Sequence, residues 1–91
     1  MSSGNVFLDL GFSPAEAEYL VLRSRLMLMV ADVLRTRNLT QAQAARLFGV
    51  SQPRVSDVVR GRVSRFTIDA LVEMLARAGI RLDIIQLPAS A

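Results

Sequence analysis

The side chains best suited to recognising a polar partner lie between residues 40 and 61, in the stretch TQAQAARLFGVSQPRVSDVVRG. Its amide, guanidinium, carboxylate and hydroxyl groups donate and accept hydrogen bonds. The 91 residues include no histidine and no cysteine, which excludes imidazole acid–base catalysis, thiolate nucleophiles and zinc sites built from these ligands. The chemistry that this stretch supports is therefore noncovalent recognition.

Two short helices are predicted to position these side chains. Thr40 is suited to cap a first helix over residues 41–48, and Gly49 is suited to the left-handed turn that ends it. Ser51 is suited to cap a second helix, whose first turn tolerates Pro53. The spacing predicts a helix-turn-helix packed through Ala44, Ala45, Phe48, Val55 and Val58.

The second of these helices presents polar side chains away from the predicted core, as a helix in a DNA major groove does. Similar helix pairs occur in all-α proteins that never contact DNA, and a run of charge is usually a solvated face. Here the charge favours DNA, because residues 46–65 hold five arginines and one acid while the whole chain has a net charge of +3. The predicted outward residues are Gln52, Arg54, Ser56, Asp57 and Arg60.

This segment resembles the lambda-repressor-like, Xre-type helix-turn-helix family, and the wider chain resembles its HigA-type antitoxin branch. The wider likeness lies in NVFLDLGF at 5–12, in residues 39–71 and in IRLDIIQL at 80–87. It implies one mainly α DNA-binding domain over residues 1–91, with four to five helices and a C-terminal β-strand used in dimerisation. It also implies a cytoplasmic transcriptional repressor of bacterial or phage type, and it is compatible with the antitoxin of a toxin–antitoxin operon.

Position in the motif suggests a role for each polar residue. Gln41, at the start of the first helix, is expected to brace against a phosphate, as this position often does in the family. Gln52 and Arg54 are predicted to read adenine and guanine edges. Asp57 is unfavourable near DNA unless it accepts from cytosine N4 or orients an arginine. The other predicted DNA-contacting residues are Ser51, Ser56, Arg60, Arg62 and Arg65, the three arginines being better placed for phosphates.

The rest of the chain is predicted to be mostly helical. A capping box at Ser13 and Glu16 opens a long helix that runs to about Arg37. Its methionines suit either core packing or an adaptable binding surface. A basic linker over residues 61–66 then leads to a last helix over residues 68–78.

Residues 80–84 alternate between apolar and polar side chains, which predicts a half-buried strand reaching about residue 87. Residues 5–10 are the only other strand candidate in the chain, so we expect the strand to pair with a second copy. That pairing predicts a homodimer and a palindromic double-stranded operator. The alternative is an extended tail lying on the domain. The predicted interface residues are Ile80, Leu82 and Ile84.

Two other classes of function remain as alternatives. In the first, the protein is an interaction module whose apolar helix faces bind a toxin or another regulator, without significant DNA binding. The second, an enzyme, is disfavoured because the eight acidic residues fall on solvent-facing stripes rather than in a cluster. No metal or cofactor is expected, and no run approaches the roughly 20 apolar residues of a membrane span.

Overall fold

A computed structural model of the protein describes residues 6–88, which form five α-helices and one 3-10 turn. The predicted mainly α fold is therefore confirmed, and the two predicted helix ends at 37 and 78 each lie one residue past the observed ones. In chain order, the elements are α1 (Val6–Asp9), α2 (Pro14–Thr36), α3 (Gln41–Phe48), α4 (Gln52–Val59), the 3-10 turn (Val63–Arg65) and α5 (Ile68–Arg77).

Capping hydrogen bonds determine where the helices begin. The Ser13 hydroxyl accepts from the Glu16 N–H at 3.2 Å, and the Ser13 N–H donates to the Glu16 carboxylate at 2.9 Å. This predicted capping box starts α2, and the bond from the Ser13 backbone is the main reason that the pKa of Glu16 is lowered. Thr40 and Gln43 form a second box at α3, and Thr67 caps α5 as predicted.

The core lies where α2 packs against α4 and α5, with α3 packed against the same two helices. Phe48 fills the space between these helices, and Phe66, which follows the 3-10 turn, is equally buried. The core side of α2 consists of Met27, Val30 and Val33, whereas several large apolar residues of the same helix stay in solvent. Packing of the helix-turn-helix follows the prediction, since its five expected core residues are all buried.

The N-terminal strand candidate is wrong for the part of it that the structure describes, because residues 6–9 form a helical turn instead. The Leu10 N–H donates to the Val6 carbonyl at 3.0 Å, and the rings of Phe7 and Phe12 meet edge to face with centroids 6.2 Å apart. Residues five apart in an extended chain are separated by about 17 Å, so these two rings can meet only when the segment between them is coiled. Asn5 lies outside the described residues.

The C-terminal β-strand is also not found, since residues 80–88 have no regular secondary structure. Alternation sets the pattern of side chains, but a strand also needs a neighbouring backbone, and none pairs with this segment within residues 6–88. Ile80 packs against the core, and its N–H donates to the Leu75 carbonyl at 3.0 Å. Leu82 and Ile84 are exposed, so the three predicted interface residues do not share one environment.

Candidate nucleic-acid interface

The turn between α3 and α4 determines how α4 is presented. Gly49 has a φ of +69°, in the left-handed region, and its N–H donates to the Ala45 carbonyl at the end of α3. The Ser51 hydroxyl then accepts from the Arg54 N–H at 3.4 Å and starts α4. A Cβ at Gly49 would lie 2.9 Å from Nε of Arg77, so this turn also packs closely on α5. The predicted helix-turn-helix is confirmed.

One side of α4 is open to solvent, and we call it the outer face. It consists of Gln52, Pro53, Ser56, Val59 and Arg60, all exposed except the half-buried Ser56. At 3.6 residues per turn, these positions lie within about 120° of one another around the helix axis. The predicted outward positions of Gln52, Ser56 and Arg60 agree with this arrangement. A two-turn helix with amide, hydroxyl and guanidinium groups on one side has the chemistry to read base edges in a major groove.

Val59 is a member of the outer face that the sequence prediction missed. Its side chain is 58% exposed, whereas Val55 and Val58 of the same helix are buried. Its spacing was an available signal, because seven residues after Gln52 is close to two full turns. An exposed aliphatic side chain at this position can contact the methyl group of a thymine.

Arg54 projects from the opposite side of α4, at about 200° from Gln52. Its Nη1 donates to the Arg65 carbonyl at 2.7 Å, and its guanidinium carbon lies 4.1 Å from the centre of the buried Phe66 ring. The structure therefore places Arg54 half-buried on a different side of α4 from Gln52, and its contact with a guanine edge stays a prediction. The cause is tertiary, because the segment after α4 folds back and engages the side chain by a charge-assisted hydrogen bond and ring stacking.

Asp57 was predicted to be exposed, but the structure buries it at 9% relative accessibility. Its Oδ1 accepts from Nη1 of Arg65 at 3.3 Å and lies 3.7 Å from Nη1 of Arg62. Two neighbouring cations offset the desolvation of the buried carboxylate. Both arginines remain partly exposed, so each keeps N–H groups for a further anion.

Residues 61–66 form a short segment that we call the arginine loop. The Arg62 N–H donates to the Asp57 carbonyl at 2.9 Å, which fastens the start of the loop to α4. At its other end, Nη1 of Arg23 in α2 donates to the Phe66 carbonyl at 3.5 Å. Together with the bond from the Arg54 side chain, these contacts fix the loop backbone next to α4. Its two arginines are thereby held in place before any ligand arrives.

The two remaining predicted DNA-contacting residues lie at helix starts. Gln41 is exposed in the first turn of α3, and Ser51 is exposed while its hydroxyl caps α4. The N-termini of both helices carry backbone N–H groups without intrahelical partners, which suit a phosphate. Contacts of these two residues with DNA stay a prediction, as do those of the outer face and the arginine loop.

The acidic side chains of residues 6–88 do not gather into a cluster. No group of three or more acidic, histidine or cysteine side chains in that range could hold a metal ion. One acid in each of α2 and α5 forms a local ion pair, Asp32 with Arg35 and Glu73 with Arg77. No helix of the described residues is both long enough and apolar enough to cross a membrane.

Two short helices joined by a left-handed glycine turn, with a polar outer face and a basic loop alongside, define a helix-turn-helix domain. The chain belongs to the family described as "Helix-turn-helix domain", whose sequence profile matches residues 6–85. The match spans all five helices and most of the C-terminal segment. No curated protein matches the sequence. Membership of this family indicates a DNA-binding regulator, with DNA as its partner.

Proposed function

We propose that this protein is a sequence-specific transcriptional repressor of the Xre type, which binds a palindromic operator as a homodimer. In this proposal, α4 enters the major groove with its outer face toward the bases. The Gln52 amide reads an adenine edge, and Val59 contacts a thymine methyl group. Arg60 and the arginine loop bind the flanking phosphates, and Gln41 at the start of α3 contacts a phosphate of the DNA backbone.

The observation that carries the proposal is the pairing of Asp57 with Arg62 and Arg65 beside α4. One buried carboxylate holds two arginines, and both guanidinium groups still reach solvent. Solubility does not require that two surface arginines be held in fixed positions. A surface that binds a phosphate backbone gains affinity from it, because the cations need not be ordered on binding.

Salt dependence tests the proposal directly. Operator candidates are first selected from random duplex DNA, and binding of the selected duplex is then measured from about 50 to about 200 mM salt, over which affinity should fall at least roughly tenfold. Arg60→Ala should weaken binding and flatten this dependence. Arg25→Ala, an equal loss of charge at an exposed position of α2, serves as the matched control. Absence of any selected sequence, or binding that ignores salt, would contradict the proposal.

The resemblance to the HigA-type branch supports a finer assignment, in which the repressor is the antitoxin of a toxin–antitoxin operon. Its test is whether the neighbouring gene encodes a small basic protein that inhibits growth when expressed alone. Coexpression with this chain should restore growth, and the two proteins should copurify. A harmless neighbour would remove the antitoxin assignment and leave the repressor assignment intact.

A second candidate function is a protein-interaction module in which the helix-turn-helix serves only as scaffold. The exposed side chains of Leu22, Leu28 and Met29 on α2 favour it, because large apolar residues in solvent often mark a protein contact. The salt-dependent binding assay separates the two functions. A module of this kind would show no preference among duplexes at any salt concentration.

A further inference from the structure

An apolar groove runs between α2 and the beginning of the C-terminal segment. It has a volume of about 540 Å³, and Leu28 and Met29 of α2 line one wall while Ile80 lines the other. Asp32 and Arg35 stand at its rim as an exposed ion pair. Leu28 is 68% exposed, so the groove holds large apolar surface that the single chain leaves in water.

The segment that leaves this groove is itself apolar and uncovered. We call residues 81–88 the tail, and every residue of it is exposed. Ile84 is 93% exposed, Ile85 is 79% exposed and Leu87 is 76% exposed. The only hydrogen bond described for the tail backbone is local, from the Ile84 N–H to the Asp83 side chain. The tail therefore offers both aliphatic side chains and free backbone groups to a partner.

We propose that each groove is occupied by the tail of a second copy of the chain, and that the exchange is reciprocal. This inference deepens the proposed function, because it rests on the homodimer and states how that dimer is assembled. Ile80 lines the groove and directly precedes the tail, so groove and tail occupy the same end of the molecule. A two-fold axis at this end places each tail over the partner's groove and leaves no open surface that would propagate further assembly.

The charges at this end of the molecule complement each other. The tail carries Arg81 and Asp83 in alternation with its aliphatic residues, and the groove rim carries Asp32 and Arg35. A tail seated in the partner's groove brings Arg81 near the rim carboxylate and Asp83 near the rim guanidinium. Both ion pairs can form in either groove, because a two-fold axis repeats each contact. A partner of unrelated sequence has no such built-in match.

Complementation between two variants tests the exchange. Leu28→Glu puts a charge into the groove, and Ile84→Glu puts one into the tail, where unpaired burial is strongly unfavourable. Each variant alone should dimerise about 100-fold or more weakly than the unmodified chain. A mixture of the two should recover part of the association, because one of the two exchanges in the mixed dimer joins an intact tail to an intact groove. Sedimentation at micromolar concentration measures all three samples.

Leu22→Glu is the matched control, since Leu22 is a 46% exposed leucine of α2 that does not line the groove. It should leave the dimer unchanged. Both test positions are exposed in the single chain, so helical content by circular dichroism should be retained in every variant. A normal dimer with Leu28→Glu but not with Ile84→Glu would overturn the exchange and indicate that two tails pair directly.

The outcome for DNA is measured separately, so that the two proposals can fail independently. If the unmodified chain is monomeric but binds its selected duplex, the exchange is wrong and the DNA-binding proposal stands. If the chain dimerises through groove and tail but prefers no duplex, the exchange stands and the repressor proposal is wrong. A monomer that dimerises only with a coexpressed partner would also overturn the exchange.

Discussion

Gln52 and Arg60 extend into solvent from one side of α4, whereas Arg54 and Asp57, on the other side of the same eight-residue helix, are engaged by the arginine loop. The two sides carry similar kinds of polar group. On the outer face these groups have no described side-chain partners and remain available to a ligand. On the inner side they form hydrogen bonds and ion pairs with the arginine loop of the same chain.

The contrast between the two sides shows that the type of a side chain on a recognition helix does not identify its role. An arginine on the inner side stabilises the fold, and only through the fold does it affect binding. A glutamine on the outer face can affect specificity without affecting stability. Substitutions on the two sides should therefore separate into effects on unfolding and effects on DNA binding.

Arg54→Ala is expected to have the largest effect of the substitutions on α4. It removes a charge-assisted hydrogen bond to the Arg65 carbonyl and the guanidinium stacked on Phe66, so the free energy of unfolding should fall by about 2–3 kcal/mol. Denaturant unfolding measures this loss. Arg60→Ala is the matched control and should stay within about 0.5 kcal/mol of the unmodified chain. Unchanged stability with a relaxed preference at one base pair would restore Arg54 as a base reader.

Gln52→Ala should leave unfolding unchanged and lower the affinity for the selected duplex by about 2 kcal/mol. The loss should appear as a relaxed preference at one base position, since the amide is expected to make a bidentate contact with adenine. Competition among duplexes that differ at single positions measures it. An equal loss of affinity for selected and random DNA would show that Gln52 contacts the backbone.

Asp57→Asn should weaken DNA binding about fivefold, or about 1 kcal/mol, although it removes a negative charge from the proposed interface. The neutral amide holds Arg62 and Arg65 less firmly, so fewer phosphate contacts form and the salt dependence becomes shallower. Asp9→Asn removes the same charge from exposed α1 and should not weaken binding. Tighter binding by Asp57→Asn would mean that simple repulsion outweighs the positioning of the two arginines.

Val59→Ala should have the smallest effect, below about 1 kcal/mol, and only at a position where the selected duplex carries thymine. Replacing that thymine with uracil, which lacks the methyl group, should produce the same loss in the unmodified chain. The variant should be insensitive to the replacement. Sensitivity that persists in Val59→Ala would assign the methyl contact to another residue.

Features set by hydrogen bonds between near neighbours could be predicted from the sequence. The capping box at Ser13 and the cap at Thr40 each depend on residues three apart, and the turn at Gly49 depends on one residue's freedom to adopt a positive φ. The outward positions of Gln52 and Arg60 follow from the helix period once those ends are known. The helix ends, the turn and the outer positions of the helix-turn-helix could therefore be predicted from the sequence.

Features that depend on segments folding back could not be predicted in the same way. Arg54 turns inward because of a carbonyl eleven residues later, and Asp57 accepts a hydrogen bond from an arginine eight residues later. Nothing in the sequence of α4 indicates the contact of Arg54, whereas an arginine partner for Asp57 is one of the two alternatives that the sequence leaves open. The 3-10 turn that brings these groups together lies within what the sequence indicates only as a basic linker. The tail fails as a strand for a related reason, since no backbone within residues 6–88 pairs with it.

Because its backbone is already hydrogen-bonded to the domain, the arginine loop also affects the rate at which the protein would associate with its operator. A loop that folds only on contact adds a slow step, so the observed association rate levels off as DNA concentration rises. With its backbone already bonded to α4 and α2, this loop needs no such step. Association would then be governed by diffusion and by the attraction between arginines and phosphates. The observed rate should rise in proportion to DNA concentration and should slow as salt is added.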